Sequence, residues 1–125
     1  MSTVIRRADA RRTSTPNAVM TTFASPTQGA SRQALWRVEM AAGASGPDHA
    51  MAGEQIWTVV SGAARVEVAG VAEELGPGDT LVVPADVPRR IHADPERGLE
   101  AVVTGPGADT ASGPDREPVV PPWIA

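Results

Sequence analysis

The chain contains no cysteine, no lysine and no tyrosine. Without cysteine there is no thiolate nucleophile and no cysteine zinc site, and nothing can be read about the redox compartment. Without lysine there is no Schiff base, and without tyrosine there is no phenolic acid. All eleven basic residues are therefore arginine, and the only histidines are His49 and His92. Acid–base chemistry near neutral pH must rest on these two or on a perturbed carboxylate. Aromatic residues are scarce, with one Phe and three Trp, and the formal net charge is -4. That balance supplies neither the basic stripe nor the stacking platform of a nucleic-acid binder. No stretch is long and apolar enough for a membrane span, and "MSTVIRRADARRTS" has no apolar core of a secretion signal. The expectation is a cytoplasmic protein with neither a nucleic-acid nor a membrane partner.

Glycine and proline, twelve of each, are plentiful instead. They punctuate the chain at the spacing of short strands, and no segment carries a helical stripe over three turns. The strands read from pattern are Asn17–Ala24, Ala34–Met40, Gln55–Gly62, "ARVEVAG", Thr80–Val83 after a turn at Gly76–Gly78, "RRIHAD", and Leu99–Gly105. In Ala34–Met40, Trp36, Val38 and Met40 alternate with Arg37 and Glu39, as on a half-buried strand. A length of 125 residues fits one domain with its own core. The fold class is all-β, a small antiparallel barrel, closed or built of two sheets, able to hold one small ligand.

Residues 1–105 are assigned to this barrel and 106–125 to a Pro/Gly-rich tail. The tail cannot pack a core alone, yet it carries Trp123 and Ile124, a pair suited to docking on the barrel or on a partner subunit. Arg6, Arg7, Arg11 and Arg12 read as a solvated, partly paired opening segment rather than a binding arm.

Two segments carry a more specific pattern. Gly43 is followed after five residues by His49; Met51 comes two later, then Gln55, and Gly62 closes the run after six more. Gly78 is followed after five residues by Pro84, then by Asp86, Arg89 and Ala93. Together these resemble the two motifs of the cupin family. The glycines, Pro84 and His49 fall on family positions, and Gln55 falls on an acidic position that some cupins fill with glutamine. Met51 stands at the second histidine, Asp86 at a glycine, Arg89 at the third histidine and Ala93 at the asparagine. The resemblance implies a double-stranded β-helix (jelly roll) and a homodimer, the latter also suggested by apolar outer strands.

Many cupins hold a metal, and here the ligand positions are altered. Divalent binding needs about three or four lone pairs close to the ion. Met51 offers a soft thioether, and Arg89 offers no lone pair and repels a cation. The expectation is no metal cofactor. If one divalent transition metal is held, the set implied is His49, Gln55 and His92, although His92 lies three residues beyond Arg89 and needs a bulge to face inward.

Alternation sketches the inward face. With Gln55 in, Trp57 is in; with Arg89 in, Ile91 is in; Trp36 and Met40 add an apolar wall. His49 and Arg89 are the expected catalytic pair. Met51, Gln55, Trp57, Trp36, Met40 and Ile91 are the expected substrate wall. A buried guanidinium needs a negative partner, either Glu54, Glu39 or an anionic ligand. The leading function is a metal-free isomerase, cyclase or lyase acting on a small anionic or carbonyl-containing molecule. The alternatives are a metal-dependent oxygenase or related enzyme with an incomplete ligand set, and a binding or sensing module without turnover.

Overall fold

The structure is a computed structural model and describes residues 2–125. It contains strands β1 (Arg11–Ser14), β2 (Val19–Ala24), β3 (Gln33–Met40), β4 (Ala50–Met51), β5 (Gln55–Gly62), β6 (Ala64–Val68), β7 (Val71–Leu75), β8 (Thr80–Val83), β9 (Arg89–Ala93), β10 (Leu99–Pro106), β11 (Ala111–Gly113) and β12 (Arg116–Val119). Single 3-10 turns at Arg7–Asp9 and Pro122–Ile124 are the only helical elements among the described residues, and no helix is long and apolar enough to cross a membrane.

All the strand pairs are antiparallel. A six-stranded sheet runs β1-β2-β3-β10-β5-β8, and two three-stranded sheets run β7-β6-β9 and β12-β11-β4. The sheets do not join into one hydrogen-bonded cylinder, so of the forms expected this is the packed-sheet jelly roll. The alternation read in the sequence sets the packing. On β3, Ala34, Trp36, Val38 and Met40 are buried, and on β10 their partners Val103, Ala101 and Leu99 are buried with them. Val66 of β6 and Ile91 and Ala93 of β9 close the same core from the facing sheet. On the outer face, Leu35, Thr104, Ile56 and Val82 line up in one row across β3, β10, β5 and β8. Three of the four are apolar and at least a third exposed, at 39%, 37% and 51% for Leu35, Ile56 and Val82.

Two turn positions explain why the motif residues matter. Gly62 ends β5 with φ 71°, and a Cβ there would collide with the Gly98 carbonyl that accepts the Ala63 amide. No other residue fits that approach. Asp86, standing at a motif glycine, takes the left-handed conformation itself, with φ 61°. Aspartate tolerates that region better than most residues. Its amide donates to the Met51 carbonyl at 2.8 Å, tying the β8–β9 loop to β4.

The tail is part of the fold. β11 pairs with β4 through Ala111↔Met51 and Ser112↔Ala50, and β12 pairs with β11. Ile124 is fully buried in the core, and burial of such a side chain stabilises a fold by about 1.5–3 kcal/mol. The carbonyl of Ala125 accepts bonds from Ser25 Oγ at 2.6 Å, Thr27 Oγ1 at 2.7 Å and Arg11 NH2 at 3.2 Å. Arg11 is thus a paired member of the arginine cluster and a structural anchor on β1. The polar sequence hid this, because Thr27 Oγ1 and Ser25 Oγ, which accept from Arg11 at 2.9 and 3.1 Å, carry no pattern, and the Ala125 carbonyl lies 114 residues away.

Candidate active site

Between the sheets lies a cavity of about 600 Å³. Its inner wall is made by Met20, Trp36, Val38, Met40, Met51, Trp57 and Ile91, and the tail residues Val119 to Trp123 form another side. The polar groups on this wall are few, as expected of a small-molecule site. His49 and Gln55 are on it, and Arg116 and Glu117 stand on the tail side.

His49 enters from the segment before β4. Its backbone pairs with Arg89 in both directions, His49 N to Arg89 O at 3.1 Å and Arg89 N to His49 O at 2.8 Å. This pairing, antiparallel, sets the two residues side by side. The imidazole Nδ1 lies 2.9 Å from the Pro47 carbonyl. A carbonyl only accepts, so Nδ1 carries the hydrogen and Nε2 keeps its lone pair. Burial holds the His49 pKa below the ordinary histidine value, the Pro47 bond opposes this, and the charges of Arg89 and Arg116 lower it further. The ring is therefore neutral at pH 7, fixed in one tautomer, with its basic nitrogen free.

Arg89 does not line the cavity. It lies behind Gln55, 1% exposed, and its NH1 donates to Gln55 Oε1 at 2.9 Å. Trp57 Nε1 donates to the same oxygen at 3.3 Å. Among the described residues NH2 is enclosed without a partner, and no carboxylate comes within ion-pair distance. The carboxylates considered from sequence do not serve. Glu39 points outward on β3, 3.9 Å from Arg37, and Glu54 is exposed. Burial pushes the Arg89 pKa down to about 10, against the attraction of Asp109. The group still carries its charge at neutral pH.

His92 lies elsewhere. It sits on β9 one position after Ile91 and faces a second cavity, where Nδ1 is 2.7 Å from Ser45 Oγ and Nε2 is 3.5 Å from Glu67. No bulge is recorded between β9 and β6, whose register runs unbroken from Arg89 to Ala93. The structure therefore places His49 and Gln55 together and His92 apart from them.

The residues at the cupin ligand positions do not fit a divalent cation. Gln55 Oε1 is already engaged by two donors, Arg89 has no lone pair, and Met51 is a thioether, which leaves one imidazole nitrogen. Among the described residues no cluster of three or more His, Asp or Glu side chains is placed to hold a metal.

Sequence reasoning missed the tail's share of the site. Arg116 and Glu117 belong to a stretch with no apolar period, and only the Trp123–Ile124 pair hinted at docking.

Residues 36–105 match the cupin domain family model, more than half of the chain. The chain belongs to the cupin family. Among solved structures it is similar to the polyketide cyclase RemF from Streptomyces resistomycificus, with a TM-score of 0.71 and 24% identity over 85% of this chain and 80% of that one. It is also similar to an oxalate decarboxylase from Bacillus subtilis, with a TM-score of 0.76 and 18% identity over 85% of this chain. The chain spans only 30% of that decarboxylase. At these identities the likeness is one of fold. No curated protein sequence matches significantly.

Proposed function

We propose that this cupin is a metal-independent acid–base enzyme. It would take a small carbonyl-containing or anionic organic molecule into the apolar cavity and move a proton on it with His49. The observation that carries the reading is the state of His49. Its ring lines the cavity, its tautomer is set by Pro47, and its environment keeps Nε2 unprotonated, with its lone pair available. A base poised this way can remove a proton from carbon beside a carbonyl. Isomerisation, cyclisation and elimination can all begin with that step. The likeness to a polyketide cyclase is compatible with it.

The test is hydrogen–deuterium exchange. A panel of small enolisable ketones and keto acids is incubated with the protein in D₂O and followed by NMR. Wild type is expected to exchange the protons beside the carbonyl, and His49→Gln to lose about a hundredfold or more of that rate. Unchanged exchange in the variant would sink the reading. Binding of these molecules without any exchange would favour a sensing module. Elemental analysis of the same preparation should give well under one transition metal per chain, and one equivalent whose removal by a chelator lowers stability would favour the metalloenzyme alternative. The homodimer stays part of this proposal, with the outer row Leu35, Ile56 and Val82 as its contact. Sedimentation of Ile56→Glu as a smaller species than wild type is the outcome expected.

A further inference from the structure

We propose that Gln55 is the hydrogen-bond donor for an oxyanion developing on the substrate, and that Arg89 is the positioning residue that aims it. This rests on the acid–base reading above and narrows its substrate class to molecules whose carbonyl oxygen becomes an enolate or phenolate.

A glutamine amide has two ends of opposite character, and its neighbours decide which way it faces. Both neighbours of Gln55 on this side can only donate. The Arg89 guanidinium approaches at 2.9 Å and the Trp57 indole N–H at 3.3 Å. The oxygen must therefore face them. A flipped amide would set its two hydrogens against those donors and lose both bonds. Nε2 is consequently turned away from Arg89. It has no protein acceptor among the described residues, it is not among the enclosed polar atoms, and Gln55 lines the cavity. The result is a pair of N–H donors held on an apolar wall that also carries the His49 base.

The charge of Arg89 strengthens this arrangement. Its guanidinium is buried, it makes no ion pair, and it stays protonated. A charged donor on Oε1 draws electron density through the amide and makes the far N–H groups better donors. In a dry site, donors fixed where negative charge will appear stabilise the transition state without reorganising.

The step balances without any co-reactant. His49 Nε2 takes a proton from carbon beside the carbonyl. The C–H electron pair becomes the new C=C bond, and the carbonyl π pair moves onto oxygen, where Gln55 donates. Return of the proton from His49 to a different atom completes an isomerisation with no change of oxidation state.

The test uses 4-nitrophenol, whose visible absorbance distinguishes phenol from phenolate, with nitrobenzene as a ligand of similar shape that cannot ionise. Wild type is expected to bind the phenolate preferentially, so that bound dye ionises at lower pH than free dye. Gln55→Leu should weaken phenolate binding by about tenfold or more and abolish the shift, with nitrobenzene binding kept. Arg89→Met should do the same although Arg89 does not touch the ligand, and Arg89→Lys should restore the shift, because an ammonium also only donates. Retained nitrobenzene binding certifies the fold of each variant; if Arg89→Met does not fold, Gln55→Leu and Arg89→Lys decide. Wild-type phenolate affinity in Gln55→Leu overturns the proposal, as does failure of wild type to bind phenolate while it binds nitrobenzene. His49→Gln separates the two readings. Loss of exchange in it with phenolate binding unchanged in Gln55→Leu rejects only the oxyanion role. Exchange surviving in it with the phenolate shift intact rejects only the acid–base reading.

Discussion

The two histidines occupy cavities of similar size, about 600 Å³ around His49 and about 690 Å³ around His92. Their surroundings differ in kind. The His92 cleft is lined by Ser45, Arg65, Glu74, Asp94 and Arg97, and most of its polar groups meet a polar neighbour, His92 Nε2 lying enclosed without a hydrogen bond, 3.5 Å from the Glu67 carboxylate. His92 meets Ser45, Arg97 lies 3.5 Å from Asp94, and Asp94 accepts the amides of Arg97 and Glu96 at 2.8 and 3.0 Å. The Arg97 amide, then that of Glu96, hold the Asp94 carboxyl below the usual carboxylate range. The His49 cavity is apolar, and its imidazole has one nitrogen bonded to the main chain and one left free. A titratable side chain among partners is a structural element. The same side chain facing an apolar void has nothing to bond but a ligand.

The comparison can be broken in several ways. The largest effect should come from the tail, which walls the His49 cavity and not the other. Ile124→Ala removes a fully buried side chain and is expected to cost about 2–5 kcal/mol in denaturant unfolding, with weaker ligand binding beside Trp123. An unchanged unfolding midpoint would mean that the tail is not part of the core. Next comes His92→Gln. It loses the Ser45 bond, worth about 0.5–1.5 kcal/mol, and should leave proton exchange at the wild-type rate. A loss of exchange as large as that of His49→Gln would erase the distinction between the cavities. The smallest effect is the pH dependence. Because the His49 pKa is lowered in the fold, exchange should rise with pH through a midpoint below the ordinary histidine value of about 6.5. The unfolded chain takes up this proton first as pH falls, so stability is full above the ordinary value and declines through the interval below it. A midpoint above that value would reverse the sign and contradict a partly desolvated, neutral ring.

Much of the fold was legible because long strands have periods. β5 and β8 match the pattern residue for residue, and β3 and β10 differ from it by one residue. β4 and β11 are two and three residues long, too short for any period to register. Arg89 was readable as inward from its motif position. Its partner was not, because Gln55 lies 34 residues away and only the folded register brings the two together. Asp86 shows the limit of motif reading in another way. The motif glycine is absent, and Asp86 itself takes a left-handed conformation that glycine would adopt without strain.

The segment that closes the His49 cavity has a consequence for biosynthesis. Thr22 Oγ1 bonds the Trp123 carbonyl at 2.7 Å across 101 residues, and Arg11 reaches Ala125 across 114. Strands β1 and β2 are made before this segment, and the cavity gains its last wall only when residues 119–123 emerge from the ribosome. Contacts of such long range form late and slowly. Until those residues emerge, a nascent chain can assemble most of its sheet while presenting an open, apolar trough, and this is the interval when chaperone protection matters most.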